Sequence, residues 1–134
     1  QSTPADEELV VTGITHTVGY WKNHPEEWQV INPTDPFPWT TGKLAGKSYM
    51  DVLWADTSSG DASIILAQQY IAARLNEIIY GAPSIIHDKI LEAEGWLALY
   101  PAGSKPPKSS ADRAAIIALA AELEAYNRSG EPTP

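Results

Sequence analysis

DASIILAQQYIAARLNEIIYGAP, residues 61–83, is the stretch on which the fold turns. Placed at 100° steps, Ile64, Ala67, Ile71, Leu75, Ile78 and Ile79 fall on one stripe, which Ile65 and Ala72 widen. Asp61 supplies a carboxylate for the first free N–H groups, and Gly81 followed by Pro83 stops the run. The spacing predicts a helix over 62–80, about 28 Å long at about 1.5 Å per residue. A stripe this wide predicts a central helix touched on more than one side. Gln68 falls inside it, and a buried amide needs partners. A loop backbone group or a tryptophan N–H is expected to supply them.

Two further helices follow. Ser84 is expected to cap a helix over about 85–99, with Ile86, Ile90, Ala93 and Leu97 inward. YPAGSKPPKSS, 100–110, reads as a loop. Ser109 with Asp112 then resembles a capping box for a helix over about 110–126. Ile116, Leu119, Leu123 and Tyr126 form its large apolar stripe. Ala114, Ala118, Ala121 and Ala125 form a second, smooth one that allows another helix to approach closely.

Upstream, Ser48 with Asp51 caps a short helix over 49–54, and ADTSSGD, 55–61, reads as a turn. Residues 29–47 form a loop pinned by Phe37 and Trp39. ELVVTGITHTV, 8–18, is rich in β-branched residues and is the one strand-like run. The expectation is an all-α domain of three main helices plus short ones over 19–130. An extended N-terminal arm, 1–18, precedes it and a tail, 131–134, follows.

Composition narrows the functions. The net charge is −8 and the few basic residues are scattered, so nucleic acid is not an expected partner. There is no cysteine, which removes disulfides and thiolate chemistry. No apolar run is long enough to span a membrane. QSTPADEE, at the start, resembles a mature terminus left after removal of a signal peptide.

The densest chemistry lies in VGYWKNHPEEW, 18–28. A short helix around 17–23 should break at His24–Pro25, with Pro25 opening a new turn. Tyr20, Trp21, Lys22, Asn23, His24 and Trp28 make either a structural knot or a ligand platform. In the knot, the aromatics fill the gap under the loop, and Lys22, Asn23 and His24 bond carbonyls left open by Pro25. In the platform, exposed rings stack on glycans. His24 with Glu26 or Glu27 satisfies the proximity that proton transfer needs, but no catalytic motif accompanies them. No enzyme activity and no cofactor are expected. His16, His24 and His87 show no metal-binding spacing, so no metal is assigned. NRS, 127–129, makes Asn127 a glycosylation candidate, expected exposed at a helix end.

VGYWKNHPEEW resembles the G-[YF]-W-K-N-H-P-x-x-W motif of a family of uncharacterised secreted or cell-surface domains of bacteria and archaea. The resemblance continues in GKLAGKSYMDVLWA, 42–55, and GDASIILAQQYIAARLN, 60–76, and ends in ELEAYNRSG, 122–130. It implies a secreted or surface location and no particular activity. Members often carry a cysteine shortly before the motif, where this chain has Ile14, Thr15 and His16. Some other device must fix the arm, or the arm reaches elsewhere.

The expected function is a secreted structural subunit that assembles with copies of itself into a filament or surface layer. Val10, Val11 and Ile14 on the arm, and Ala114, Ala118, Ala121 and Ala125 on the last helix, are the expected interface. The alternative is an extracellular glycan- or ligand-binding module built on segment 20–28.

Overall fold

A computed structural model describes residues 14–130. Val10 and Val11 lie outside the described residues. Among the described residues, five α-helices form the body: α1 (Val18–Asn23), α2 (Tyr49–Leu53), α3 (Ala62–Tyr80), α4 (Ser84–Leu99) and α5 (Ala111–Ser129). The described residues contain no strand, only isolated bridges at Pro36–Ser48 and Thr40–Ala102.

The central helix forms as its pattern predicts. Asp61 Oδ1 accepts from the N–H groups of Ser63 and Ile64, and Gly81, at φ 80°, takes the left-handed turn that ends it. Ile64, Ala67, Ile71 and Leu75 are buried. Gln68 is half-buried rather than buried, and its Nε2 donates to the carbonyls of Val52, Leu53 and Ala55, capping the end of α2. The capping box of Ser48 and Asp51 is present in both directions.

Helices α3, α4 and α5 run down, up and down. Arg113 at the start of α5 donates to Gly60 O, just before α3, and Asn76 meets Asn127 near their far ends. The pair α3–α5 is therefore parallel. Lys89 with Glu122, and Tyr100 with Asp112, mark α4 and α5 as antiparallel. Ile90, Ala93 and Leu97 from α4 meet Ile116, Leu119 and Leu123 from α5 in one core with α3.

Three boundaries depart from expectation. Pro83, not Ser84, is the cap residue of α4; its carbonyl already accepts from His87, and Ser84 is inside the helix. Ser110, not Ser109, caps α5, accepting from Arg113 N at 3.1 Å, while Asp112 turns to the Tyr100 hydroxyl. Helix α5 continues past 126 to Ser129. Its end is capped from far away in sequence. The Thr15 hydroxyl donates to the carbonyl of Asn127 at 2.8 Å and accepts from Gly130 N at 2.9 Å.

Thr15 and His16 are buried, so the helical body takes in residues that the sequence reading placed in the arm. Hydrogen bonds fix the segment that enters the body. Besides the Thr15 contacts, His16 N donates to Asn76 Oδ1 at 2.9 Å, and Asn76 Nδ2 donates back to His16 O at 3.0 Å. The side-chain amide of Asn76 pairs with the His16 backbone as a neighbouring strand would.

Candidate functional site

The 18–28 segment is built around two indoles. Thr17 Oγ1 accepts from Tyr20 N and starts α1. The helix drives Trp21 inward, where it is fully buried. Trp28, 9% exposed, returns after the Pro25–Glu27 turn, and its Nε1 donates to Trp21 O at 2.9 Å. Reading these two rings as an exposed glycan platform is corrected: neither presents a face for stacking. The knot differs in detail from expectation. The Trp28 indole serves the Trp21 carbonyl, and Asn23 Nδ2 donates to Gly19 O at 2.8 Å. Lys22 instead lies over the exposed Trp54, with Nζ 4.3 Å from the ring centroid.

Behind Trp21 runs a buried polar chain. Trp21 Nε1 donates to Asn76 Oδ1 at 3.2 Å, and Asn76 Nδ2 donates to Asn127 Oδ1 at 2.9 Å. Asn127 Nδ2 donates to Gln69 O and Gln69 Oε1. Asn76 thus uses both donors and both acceptor positions. Asn127 is fully buried with its amide nitrogen committed, which overturns its reading as an exposed glycosylation acceptor.

On the outer side, three rings stack at helical spacing. Tyr20 lies between His16 (centroids 3.6 Å apart) and His24 (4.2 Å). The Tyr20 hydroxyl donates to Glu27 Oε1, and this bond, with the adjoining charge, pushes the phenol up to about 12. His24 Nδ1 lies 3.0 Å from Glu26 Oε2 and 3.8 Å from Glu27 Oε2. Glu26 is held below the usual carboxylate range by its own backbone hydrogen bond and then by His24. Donor atoms of His24, Glu26 and Glu27 lie within 4.8 Å of one another, a grouping that metal-motif spacing did not signal. The grouping is open to solvent: Glu26 and Glu27 are exposed and His24 is half-buried.

The expected interface residues sit apart from this segment. Ala114, Ala118, Ala121 and Ala125 are all exposed, on the side of α5 opposite its buried stripe. Ile14 is 44% exposed where the chain enters the body.

At the other end of α3 lies a groove of about 560 Å³ that the sequence reading did not identify. Its walls are the turn at Gly42–Leu44, the loop at 103–105 and the stretch leading into α3. Thr41 N donates to Ala102 O and Ala102 N to Trp39 O, both at 2.9 Å, so the two loops are locked together. Gly103 is required there: at φ 100°, a Cβ would lie 2.2 Å from Thr41 O. Lys105 adopts φ 54°, a region that side chains seldom occupy. The signal in the sequence was a pair of loops, GKLAGK and GSKPPK, each with glycine and two lysines.

Comparison of the chain with family models, with curated proteins and with solved structures finds no match.

Proposed function

We propose that the protein is an extracellular structural subunit that assembles with copies of itself through its N-terminal arm, and that it acts by assembly rather than catalysis. The observation that supports this most is the fixed root of the arm. Thr15 and His16 are tied to the ends of α3 and α5 by hydrogen bonds from side chain and backbone, while Ile14 is half-exposed beside them. A segment leaving a rigid body from a fixed point transmits orientation to whatever it docks on, which a loose tether does not. The apolar content of residues 9–11 gives it something to bury. The outward alanine face of α5 offers a second contact surface. The extracellular assignment rests on the resemblance carried by residues 18–28.

The test is sedimentation velocity over a range of concentrations, comparing residues 1–134 with a chain beginning at Ile14, which keeps Thr15 and His16. The reading expects large species from the full chain and monomer from the shortened one. Monomer from both at all concentrations would overturn it.

A further inference from the structure

We propose that His24, Glu26 and Glu27 form a binding site for a divalent first-row transition ion of the zinc type. The inference stands apart from the assembly reading and does not depend on it.

The donor set argues for it first. An imidazole nitrogen beside two carboxylates suits zinc and its neighbours, whereas calcium and magnesium prefer oxygen alone. His24 Nδ1 stands 3.0 Å from Glu26 Oε2 and 3.8 Å from Glu27 Oε2, and donor atoms of all three residues lie within 4.8 Å of one another. Around an ion with bonds of about 2.0–2.2 Å, neighbouring ligand atoms stand roughly 3.0–3.5 Å apart. The donors are already near that spacing. Small rotations of two exposed glutamate side chains close the difference, and water completes the coordination from the solvent side.

The surroundings hold the donors in place. Pro25 fixes the start of the turn, and the bonds from Glu27 N to His24 O and from Trp28 N to Pro25 O close it. Beyond it, the buried Trp28 is tied to Trp21 O. The His24 ring stacks on Tyr20, with centroids 4.2 Å apart. The hydroxyl of the same tyrosine donates to Glu27 Oε1 and leaves Oε2 to face His24. A hydrogen bond to the carboxylate oxygen that does not ligate is a usual way of orienting the one that does. Tyr20 therefore positions two of the three ligands, one through its ring and one through its hydroxyl.

Charge points the same way. Among the described residues, neither Glu26 nor Glu27 pairs with a lysine or arginine, and the nearby Lys22 lies over Trp54. Even with a proton on His24, two carboxylates leave one negative charge, which a divalent ion removes. His87 offers a contrast. It also meets a carboxylate, Glu77, but the other partner there is Arg74 rather than a second acid.

The test is calorimetric titration of the full chain with zinc after treatment with a chelator. One ion should bind per chain. His24→Asn and Glu26→Gln should each weaken binding about tenfold or more, as removal of a ligand requires. The Glu26 side chain is 66% exposed, so Glu26→Gln leaves the fold intact and separates lost binding from lost structure. Tyr20→Phe keeps the ring stack, removes only the hydroxyl, and should weaken binding about tenfold through Glu27. His87→Asn should change nothing. Zinc should raise the thermal midpoint of the parent chain but not that of Glu26→Gln. Absence of zinc binding to the parent would overturn the proposal. Affinity in Glu26→Gln within twofold of the parent would also overturn it, because the ion would then sit elsewhere. Unchanged affinity in Tyr20→Phe would overturn the positioning role of Tyr20.

Discussion

Asn76 Nδ2 donates to Asn127 Oδ1 at 2.9 Å across the parallel pair α3–α5, and both side chains are fully buried. Around this bond the N-terminal segment, the Trp21 indole and the two helices are joined. Replacing Asn76 by Ala would orphan Trp21 Nε1 and the His16 backbone N–H and remove one of the partners of Asn127. At about 1–3 kcal/mol per orphaned buried group, the expected loss is roughly 3 kcal/mol or more. Urea denaturation measures it; a loss under about 1 kcal/mol would show that the network is dispensable.

The capping role of Thr15 is separable. Thr15→Val keeps the shape and removes the hydroxyl that serves both Asn127 O and Gly130 N. It should cost about 1–2 kcal/mol, as for a lost buried hydrogen-bonding group. Amide exchange at 126–130 should accelerate, whereas Thr15→Ser should restore protection.

Burial of Asn127 predicts that folded protein from a glycosylating host carries no glycan there, by intact mass. Any modified fraction should be misfolded, because a sugar cannot occupy the space between α3 and α5.

Alkaline pH should weaken the fold. Tyr20 is pushed up to about 12 by its hydrogen bond to Glu27, and Tyr126 to about 12 by burial and then Glu77. Both phenols hold their protons in the folded state where a free tyrosine, near 10, has lost its own. That contribution is complete below about pH 10 and disappears as pH rises to about 12. Denaturant midpoints should fall across that window, and phenolate absorbance should show late-ionising tyrosines until unfolding. A flat midpoint from pH 10 to 12 would contradict the assignment.

Indole exposure gives a direct optical check. Trp54, 55% exposed beside Lys22, should carry the largest quenchable share of emission, so Trp54→Phe should reduce acrylamide quenching markedly. Trp21 and Trp28 should remain shielded, and sugars should leave their emission unchanged.

The helices were legible because their signals are local. The stripe of α3, Asp61 before it and Gly81 after it lie within one contiguous run. The end of α5 was not, since its cap is Thr15, at the other end of the chain. Asn127 was misread for the same reason: an asparagine near a polar tail looks exposed until a distant amide, Asn76, is seen to need it. Asn76 itself is polar and so dropped out of the apolar stripe, although it is as buried as Ile71. The groove escaped notice because it is made by two loops joined through backbone bonds at Thr41 and Ala102, which no side-chain pattern announces. At 18–28 the residue types were informative about a knot, but whether the rings faced in or out depended on packing against α3.

Negative-stain electron microscopy of the full chain beside one beginning at Ile14 tests the central claim most directly. Arm-dependent, polar filaments from the first and dispersed particles from the second are the expected result. Dispersed particles from both, or filaments from both, would contradict assembly through the arm.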